Sequence, residues 1–127
     1  RSRMKGRTWR WLAWAELMFG RVALDRRERL LRFIEEAVEL GQSLGLDRAA
    51  LAAIADRVYS GPPGAPAREF GQCLACFECL AHVVDIDADA EATAELRRVQ
   101  AIPQAEWNRR HAAKVALGIA LNKATAE

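Results

Sequence analysis

The feature that most constrains this chain is the helical spacing of apolar residues between positions 25 and 45. At about 100° per residue, Glu35, Glu36 and Glu39 fall together within roughly a quarter turn of a helical wheel. The opposite, broader half of the wheel is apolar, so the segment is predicted to be a long amphipathic helix with a concentrated acidic side. The apolar residues are Leu30, Leu31, Phe33, Ile34, Ala37, Val38, Leu40, Gly41 and Leu44.

The acidic side of this helix allows two interpretations. Glu35 and Glu39 stand four residues apart, a spacing that brings like charges together and costs roughly 0.2–0.5 kcal/mol. Of the three glutamates, only Glu36 has a basic residue four positions away, Arg32. A solvated acidic surface is the simpler interpretation. The alternative is a site for a hard cation, because Mg²⁺ prefers oxygen ligands and clustered carboxylates supply them.

The rest of the chain also has the pattern of helices. No segment alternates apolar and polar residues over the length of a strand, and no Asn-Gly or Asp-Gly hairpin signal occurs. Asp25 and Asp47 are predicted N-caps, with Glu28 completing a capping box, and Gly45 and Pro103 are predicted to end helices. The predicted fold is an all-α, single-domain bundle of about five helices. The helical segments are 9–24 with a break at Gly20, 25–44, 47–59, 67–84, 88–102 and from 104 onward, and 60–66 is a loop.

Composition restricts the class of protein. At 127 residues the chain is long enough for one domain, and we expect a basic extension over residues 1–8 before a helical domain over residues 9–124. A net charge of +2 favours neither nucleic acid nor a membrane surface, and no apolar run approaches the ~18 residues of a membrane span. Three cysteines close together are typical of a reducing compartment, so we expect a cytoplasmic protein.

A further acidic residue, Glu69, lies in the helix predicted after the proline-rich loop. On the wheel of that helix, Glu69 projects from the apolar stripe and is expected to point inward. A buried carboxylate requires a cation, hydrogen-bond donors or a proton. Glu69 is therefore expected either to meet Glu36 and Glu39 around a metal ion or to form a salt bridge with an arginine. The arginines considered are Arg68, Arg97 and Arg98.

The order of these acidic residues resembles a known family. Glu35-Glu36-x-x-Glu39, followed by a helix that opens with Glu69-x-x-Gln72, is similar to the signature of the all-α nucleotide pyrophosphohydrolases of the MazG type. That signature has Glu-Glu-x-x-Glu on one helix and Glu-x-x-Asp on a later helix. The resemblance covers roughly residues 9 to 100. It extends to the Asp25-Arg-Arg-Glu-Arg-Leu-Leu-Arg-Phe-Ile run, to Tyr59-Ser-Gly-Pro-Pro-Gly and to the apolar run ending in Asp85-Ile-Asp87, which look like a compact branch of the family found in phages and bacteria.

The resemblance implies an enzyme that uses Mg²⁺, with Mn²⁺ as an alternative, to convert a nucleoside triphosphate to a monophosphate and pyrophosphate. Purine deoxynucleotides are among the candidate substrates. Glu36, Glu39 and Glu69 would bind the metal, and Glu35 would be a further ligand or the general base for the attacking water. Gln72 replaces the family's last Asp, and its carboxamide oxygen can bind a metal without adding charge. Candidate phosphate-binding cations are Arg68, Arg97, Arg98, Arg109, Arg110 and Lys114.

The amount of apolar surface predicts self-association. Apolar residues on several helices, those between Trp9 and Phe19 especially, exceed what one small bundle can cover. We therefore expect a homo-oligomer, either a dimer or a tetramer, that completes the fold. The resemblance implies the same, since sites in that family are commonly completed at subunit contacts.

Cysteine and histidine residues do not support a second metal site. The spacing Cys73-x-x-Cys76-x-x-Cys79-x-x-His82 is superficially that of a zinc or iron–sulfur motif. On a continuous helix its first and last members lie about 13 Å apart, too far for one metal. We expect buried cysteines that pack as small apolar side chains, and a structural role for His111.

The rival function is that of a non-catalytic helical interaction protein. Trp9, Trp11 and Trp14 lie beside arginines at the basic start of the chain, a composition that can bind a protein partner or nucleic acid. The commoner use of such a helix is in a core or a subunit interface, which is the interpretation favoured here, and nucleic-acid binding is disfavoured.

Overall fold

The computed structural model describes residues 6–123. Over that range the all-α prediction is confirmed, since no β-strand occurs. A 3₁₀ turn, Gly20–Leu24, follows the first helix at the predicted break. No helix in this part of the chain is both long and apolar enough to cross a membrane. The six α-helices each correspond to one of the predicted helical segments, and they are α1 Gly6–Phe19, α2 Arg26–Ser43, α3 Arg48–Tyr59, α4 Pro66–Val83, α5 Ala88–Gln100 and α6 Gln104–Ala116.

Aspartates begin three of these helices. Asp25, Asp47 and Asp87 each accept a hydrogen bond from a backbone N–H of the following first turn, at 2.8–3.3 Å. Such caps satisfy N–H groups that have no partner inside the helix, which is why Asp is favoured there. The predicted capping box is wrong in its second half. The N–H of Asp25 donates to the carbonyl of Val22 at 3.0 Å, and the Glu28 carboxylate bonds elsewhere.

Three helices end with the same reversal of the backbone. Gly45, Asp85 and Gly118 follow α2, α4 and α6 in the left-handed region, with φ of 92°, 58° and 76°. In each case the N–H of the next residue donates to a carbonyl five residues back, at 2.9–3.0 Å. This is the hydrogen-bond pattern of a Schellman motif, and it satisfies the last carbonyls of the helix. The predicted left-handed position of Gly45 is confirmed.

The described residues fall into two compact units. The first comprises residues 6–39 and 95–123, and the second comprises residues 40–94. Helix α1 already includes residues 6–8 of the predicted basic extension. Residues 1–5 of that extension and residue 124 of the predicted domain lie outside the described residues.

The core of the first unit is aromatic. Helix α1 packs against α6, and the ring of Trp14 lies 5.1 Å from that of Trp107, edge to face. Phe19 lies 6.1 Å from Trp107 and 5.4 Å from the ring of His111. The prediction that α1 is a core helix is confirmed for Trp14, whereas Trp9 is exposed. The fully buried apolar residues of this unit are small or branched: Ala15, Val22, Ala23, Leu96, Val99 and Ala120.

Helix α2 buries part of its polar side. Glu28 is only 2% exposed, and Arg32 and Glu35 are half-buried. Leu30 and Phe33, which belong to the apolar half of the same helix, are exposed. This reverses the usual orientation of an amphipathic helix in a folded domain. The described chain alone therefore does not cover the apolar side of α2.

The second unit leaves most of its apolar side chains exposed. Neither α3 nor α4 contains a buried residue. Cys73, Cys76 and Cys79 are free thiols and are exposed, so the prediction that they pack in a core is wrong for the single chain. The physical reason is that the apolar stripe of α4, to which Cys73 belongs, is itself uncovered.

Candidate functional site

The acidic side of α2 contains carboxylates in two environments. Glu35 is half-buried, with 18% of its side chain exposed, whereas Glu36 and Glu39 are exposed. Because α2 is a regular helix through this segment, residues three and four apart lie beside each other. The three glutamates predicted from sequence are therefore brought together by the helix itself.

Glu35 is held by two cations of the first unit. Lys114 Nζ, from α6, donates to Glu35 Oε1 at 2.7 Å, and Arg32 Nε lies 3.4 Å from the same oxygen. The Nε group of Arg32 is buried and is not aligned to donate a hydrogen bond, so the contact with Lys114 is the stronger one. Arg32 stands four positions before Glu36 in the sequence, but it does not form an ion pair with Glu36. Arg32 instead lies between Glu28 and Glu35, at spacings of four and three residues.

Glu36 carries the clearest electrostatic perturbation of the acidic side. Partial burial raises the pKa of the Glu36 carboxyl, and the charge of Glu39 and a hydrogen bond with it raise that pKa further. The charge of Glu35 acts in the same direction, and only Lys114 opposes it. A carboxyl whose anion is disfavoured by adjacent carboxylates holds its proton to higher pH. Glu36 and Glu39 thus form a carboxyl pair whose negative charge is only partly offset by the surrounding cations.

Two of the predicted phosphate-binding cations lie within electrostatic reach of Glu36. Lys114 opposes the raised pKa of Glu36. The pKa of Arg98 is raised first by its hydrogen bond to Glu95 and by the charge of Glu95, and in smaller part by the charge of Glu36. Arg98 pairs with Glu95, and its Nη2 donates a hydrogen bond to Glu95 Oε2 at 2.8 Å. Both cations belong to the first unit, as Glu36 does. They are therefore the members of the predicted set that the fold associates with the acidic side of α2.

The remaining predicted cations are placed differently. Arg109 and Arg110 both bond to Glu106 on α6, and these hydrogen bonds, that from Arg109 first, lower the pKa of Glu106 to about 2. Arg68 and Arg97 form no ion pair with any residue between positions 6 and 123, and Arg68 belongs to the second unit. Their assignment to phosphate binding stays a prediction.

Glu69 and Gln72 lie on α4, in the second unit, and both are exposed. The expectation that Glu69 points inward is wrong for the single chain, because the stripe it belongs to is uncovered. Its carboxylate lies over the proline-rich loop, where a Cβ at Gly64 would be 3.0 Å from Glu69 Oε1. Among the described residues, no group of three or more Asp, Glu, His or Cys side chains is arranged to hold a metal ion.

A polar relay behind the acidic side was not predicted. Glu28 Oε1 accepts the backbone N–H of Leu121 at 2.9 Å, and Glu28 Oε2 accepts Arg32 Nη1 at 3.1 Å. Arg32 also donates to the carbonyl of Ile119. The relay therefore connects the segment after α6 to Glu35 through Glu28 and Arg32. Sequence offers only the four-residue spacing of Glu28 and Arg32, because Leu121 is 93 residues away from its partner.

His111, for which a structural role was predicted, is buried in the first unit. It is 7% exposed, and its Nε2 lies 2.8 Å from the carbonyl oxygen of Leu121. A cavity of about 280 Å³ lies beside it, and none of the predicted site residues lines this cavity. The lining residues are Asn108, His111, Ala112, Val115, Asn122 and Lys123.

The fold partly buries the tryptophans of the rival interaction surface at the basic start of the chain. Trp11 and Trp14 contact each other edge to face, with ring centroids 5.8 Å apart, and both are partly buried. Trp9 alone among these tryptophans is largely exposed, at 64%.

Comparison of this chain with models of protein families, with curated proteins and with solved structures finds no match.

Proposed function

We propose that this protein is a Mg²⁺-dependent hydrolase that converts a nucleoside triphosphate to a monophosphate and pyrophosphate. The reaction comes from the resemblance of Glu35-Glu36-x-x-Glu39 and Glu69-x-x-Gln72 to MazG-type enzymes. The observation that carries the proposal is the grouping of Glu35, Glu36 and Glu39 on one side of helix α2, where partial burial, Glu39 and Glu35 together raise the pKa of the Glu36 carboxyl. A bound cation would relieve the same excess of negative charge that the proton relieves.

The donor groups on α2 fit a hard cation in chemistry. Glu36 and Glu39 offer exposed carboxylate oxygens and lack a cationic hydrogen-bond partner among the described residues, so they are the proposed ligands on this helix. Glu35 is less free, because Lys114 occupies its Oε1. When bound, Mg²⁺ neutralises phosphate charge and lowers the pKa of a coordinated water. Glu69 and Gln72 complete the proposed ligand set on the basis of the resemblance.

The remaining side chains have distinct proposed roles. Glu35, oriented by Lys114 and Arg32, is the base that accepts a proton from the attacking water. Lys114 and Arg98 attract the polyphosphate, because they are the cations that interact electrostatically with Glu36. We propose that the enzyme acts in the cytoplasm as a homodimer or homotetramer, with purine deoxynucleotides among its substrates.

Release of pyrophosphate from the common NTPs and dNTPs tests the activity directly. We expect Mg²⁺-dependent release with the parent protein and a loss of at least about 100-fold in Glu36→Gln and Glu39→Gln, because each removes a proposed metal ligand. Glu16→Gln on α1 is the matched control: it makes the same chemical change at an exposed glutamate outside the site. No pyrophosphate from any of these nucleotides would contradict the proposal.

Thermal unfolding tests the metal site independently of the reaction. A ligand that binds only the folded protein adds about 2.7 kcal/mol at a concentration of 100 times its dissociation constant. Mg²⁺ should therefore raise the melting temperature of the parent and of Glu16→Gln, and raise it less in Glu36→Gln and Glu39→Gln. An equal response in all four proteins would mean that the acidic side of α2 is only a solvated surface.

A further inference from the structure

The cavity beside His111 lies between one side of α6 and the segment that follows this helix. Its volume is about 280 Å³, and all of its lining residues belong to the first unit. The lining residues of α6 stand at positions 108, 111, 112 and 115, a spacing that places them on one side of the helix. Asn122 and Lys123 line the cavity from the segment after α6.

This segment is fixed in place at Leu121. The N–H of Leu121 donates to Glu28 Oε1 at 2.9 Å, and its carbonyl oxygen accepts a hydrogen bond from His111 Nε2 at 2.8 Å. Both Glu28 and His111 are buried. These bonds hold the next two residues, Asn122 and Lys123, beside α6 in the absence of a ligand. A site whose walls are already ordered loses less free energy when a ligand binds.

Lys123 brings a half-buried positive charge to the cavity. Its Nζ donates to Asn108 Oδ1 at 2.8 Å and to the carbonyl oxygen of Met18 at 3.4 Å, and it lies 5.8 Å from the centre of the Phe19 ring. An ammonium group has three N–H donors, and these hydrogen bonds use two of them. Among residues 6–123, no carboxylate forms an ion pair with Lys123. A partly buried cation whose neighbours are neutral favours an anion beside it.

The other lining residues restrict the chemistry of that anion. Because Asn108 Oδ1 accepts a hydrogen bond from Lys123, the amide nitrogen of Asn108 is the group that can donate to a ligand. The side chains of Ala112 and Val115 are purely apolar. None of the lining residues is acidic, and positions 104–123 contain four lysines and arginines but one glutamate. An anionic group attached to a small apolar group matches this combination.

The charge and the size of the cavity indicate a carboxylate and not a phosphate. A phosphate monoester carries about −1.5 to −2 charges at neutral pH, whereas a carboxylate carries one. Lys123 is the one lysine or arginine among the described residues that line the cavity, so it balances a single negative charge. The volume is just below the ~300–1,000 Å³ of sites for drug-sized ligands, which indicates a smaller molecule.

We propose that this cavity binds a small organic monocarboxylate. The carboxylate lies at Lys123 and the Asn108 amide, and the apolar part of the ligand contacts Ala112 and Val115. None of the residues proposed for nucleotide hydrolysis lines the cavity, so the proposal does not depend on that reaction. Acetate and butyrate are simple probes of this ligand class, because they share the carboxylate and differ in apolar length.

Titration of the full chain with sodium butyrate, followed by the amide NMR resonances, tests binding directly. We expect saturable shifts at positions 108, 111, 112, 115, 122 and 123, with a dissociation constant in the millimolar range because the ligand is small. Acetate should bind at least ~4-fold more weakly, since it lacks two methylene groups that would contact the apolar side. Sodium chloride at the same ionic strength is the control for salt. Inorganic phosphate that binds as tightly as butyrate would overturn the assignment to a monocarboxylate.

A carboxylate built into the cavity should compete with the ligand. Ala112→Glu introduces one beside Lys123 and should weaken butyrate binding at least ~10-fold. Ala113→Glu is the matched control, because it makes the same change at the next position of α6, which does not line the cavity. This control should bind butyrate as the parent does. Positions 112 and 113 are both exposed, so circular dichroism should show the helix content of the parent in both variants.

Removal of the cation tests the charge itself. Lys123→Met retains most of the length of the side chain without the ammonium group and should weaken butyrate binding at least ~10-fold. Arg10→Met removes a positive charge from an exposed position of α1 that does not line the cavity, and it should have less effect. No saturable shift with butyrate in the parent would overturn the proposal. Equal affinity for butyrate in the parent, Ala112→Glu and Lys123→Met would overturn it as well.

Discussion

At the scale of single residues, the glutamates of α2 divide by their surroundings. Glu28 is buried and bonded to Leu121 and Arg32, Glu35 is half-buried and bonded to Lys114, and Glu36 is exposed beside Glu39. All of these carboxylates stand on one helix and within a few turns. Their chemical roles differ because the groups facing them differ, and those groups come from distant parts of the chain.

The raised pKa of Glu36 predicts how stability depends on pH without metal. A carboxyl whose pKa is higher in the folded than in the unfolded protein contributes stability that is fully present below its unfolded pKa. That stability is lost as pH rises through the folded pKa. The unfolded value is about 4.5, so Glu36 should destabilise the metal-free protein at neutral pH. Glu36→Gln should therefore be more stable than the parent at neutral pH, and the difference should shrink as pH falls towards 4.5.

Urea unfolding with a chelator present, at a series of pH values, measures that difference. The control is again Glu16→Gln, which makes the same chemical change at an exposed glutamate outside the acidic side of α2. A Glu36→Gln difference that stays constant from acidic to neutral pH would show that the neighbouring carboxylates do not disfavour the anion.

The buried end of the polar relay makes a separate prediction. Glu28→Gln removes the charge that faces Arg32, whose side chain is only 17% exposed, and directs an amide towards a donor. Breaking a buried ion pair from one side is expected to lower the free energy of unfolding by about 3 kcal/mol. Glu95→Gln breaks the exposed pair with Arg98 and should lower it by less than ~1 kcal/mol. Denaturant titration of the three proteins compares them, and equal losses would contradict a structural role for the relay.

At the scale of the helices, their ends follow from local chemistry. The left-handed residue after α4 is Asp85, whereas the equivalent positions after α2 and α6 are glycines. A non-glycine residue in that region is strained by roughly 1 kcal/mol, and an anion at a helix C-terminus is unfavourable. Introducing a glycine at position 85 and removing the glycine at position 45 should therefore have opposite effects on stability.

Asp85→Gly should raise the free energy of unfolding by about 0.5–1 kcal/mol, and Gly45→Ala should lower it by about 1 kcal/mol. A Cβ at Gly45 meets no atom within 4 Å, so any loss there reflects the backbone and not a clash. Thermal or urea unfolding of both variants measures the two effects. A destabilised Asp85→Gly would mean that the Asp85 side chain makes a stabilising contact.

At the scale of the whole molecule, stability is concentrated in one of the two units. The buried apolar residues Ala15, Val22, Ala23, Leu96, Val99 and Ala120 all belong to residues 6–39 and 95–123, whereas α3 and α4 contain none. Regions with few buried apolar contacts open locally at low free energy. The helices of the second unit are therefore expected to open locally at a lower free energy than those of the first unit.

Hydrogen exchange should reveal that difference. Amides of α3 and α4 should exchange at least ~10-fold faster than amides of α1 and α6, because α3 and α4 contain no buried residue. Equal exchange rates in the two sets of helices would contradict the concentration of stability in the first unit.

The sequence by itself determined the helices, most of their ends and the grouping of Glu35, Glu36 and Glu39. Each of these depends on residues three to five positions apart, as the caps at Asp25 and Asp47 and the left-handed Gly45 show. Tertiary structure decided what faces those residues. Lys114 reaches Glu35 across 79 residues, a pairing that no local period encodes. Glu69 was expected to point inward because it projects from an apolar stripe, and the cysteines of α4 were expected to pack as small apolar side chains. Burial depends on what packs against a helix, and these residues are exposed in the single chain.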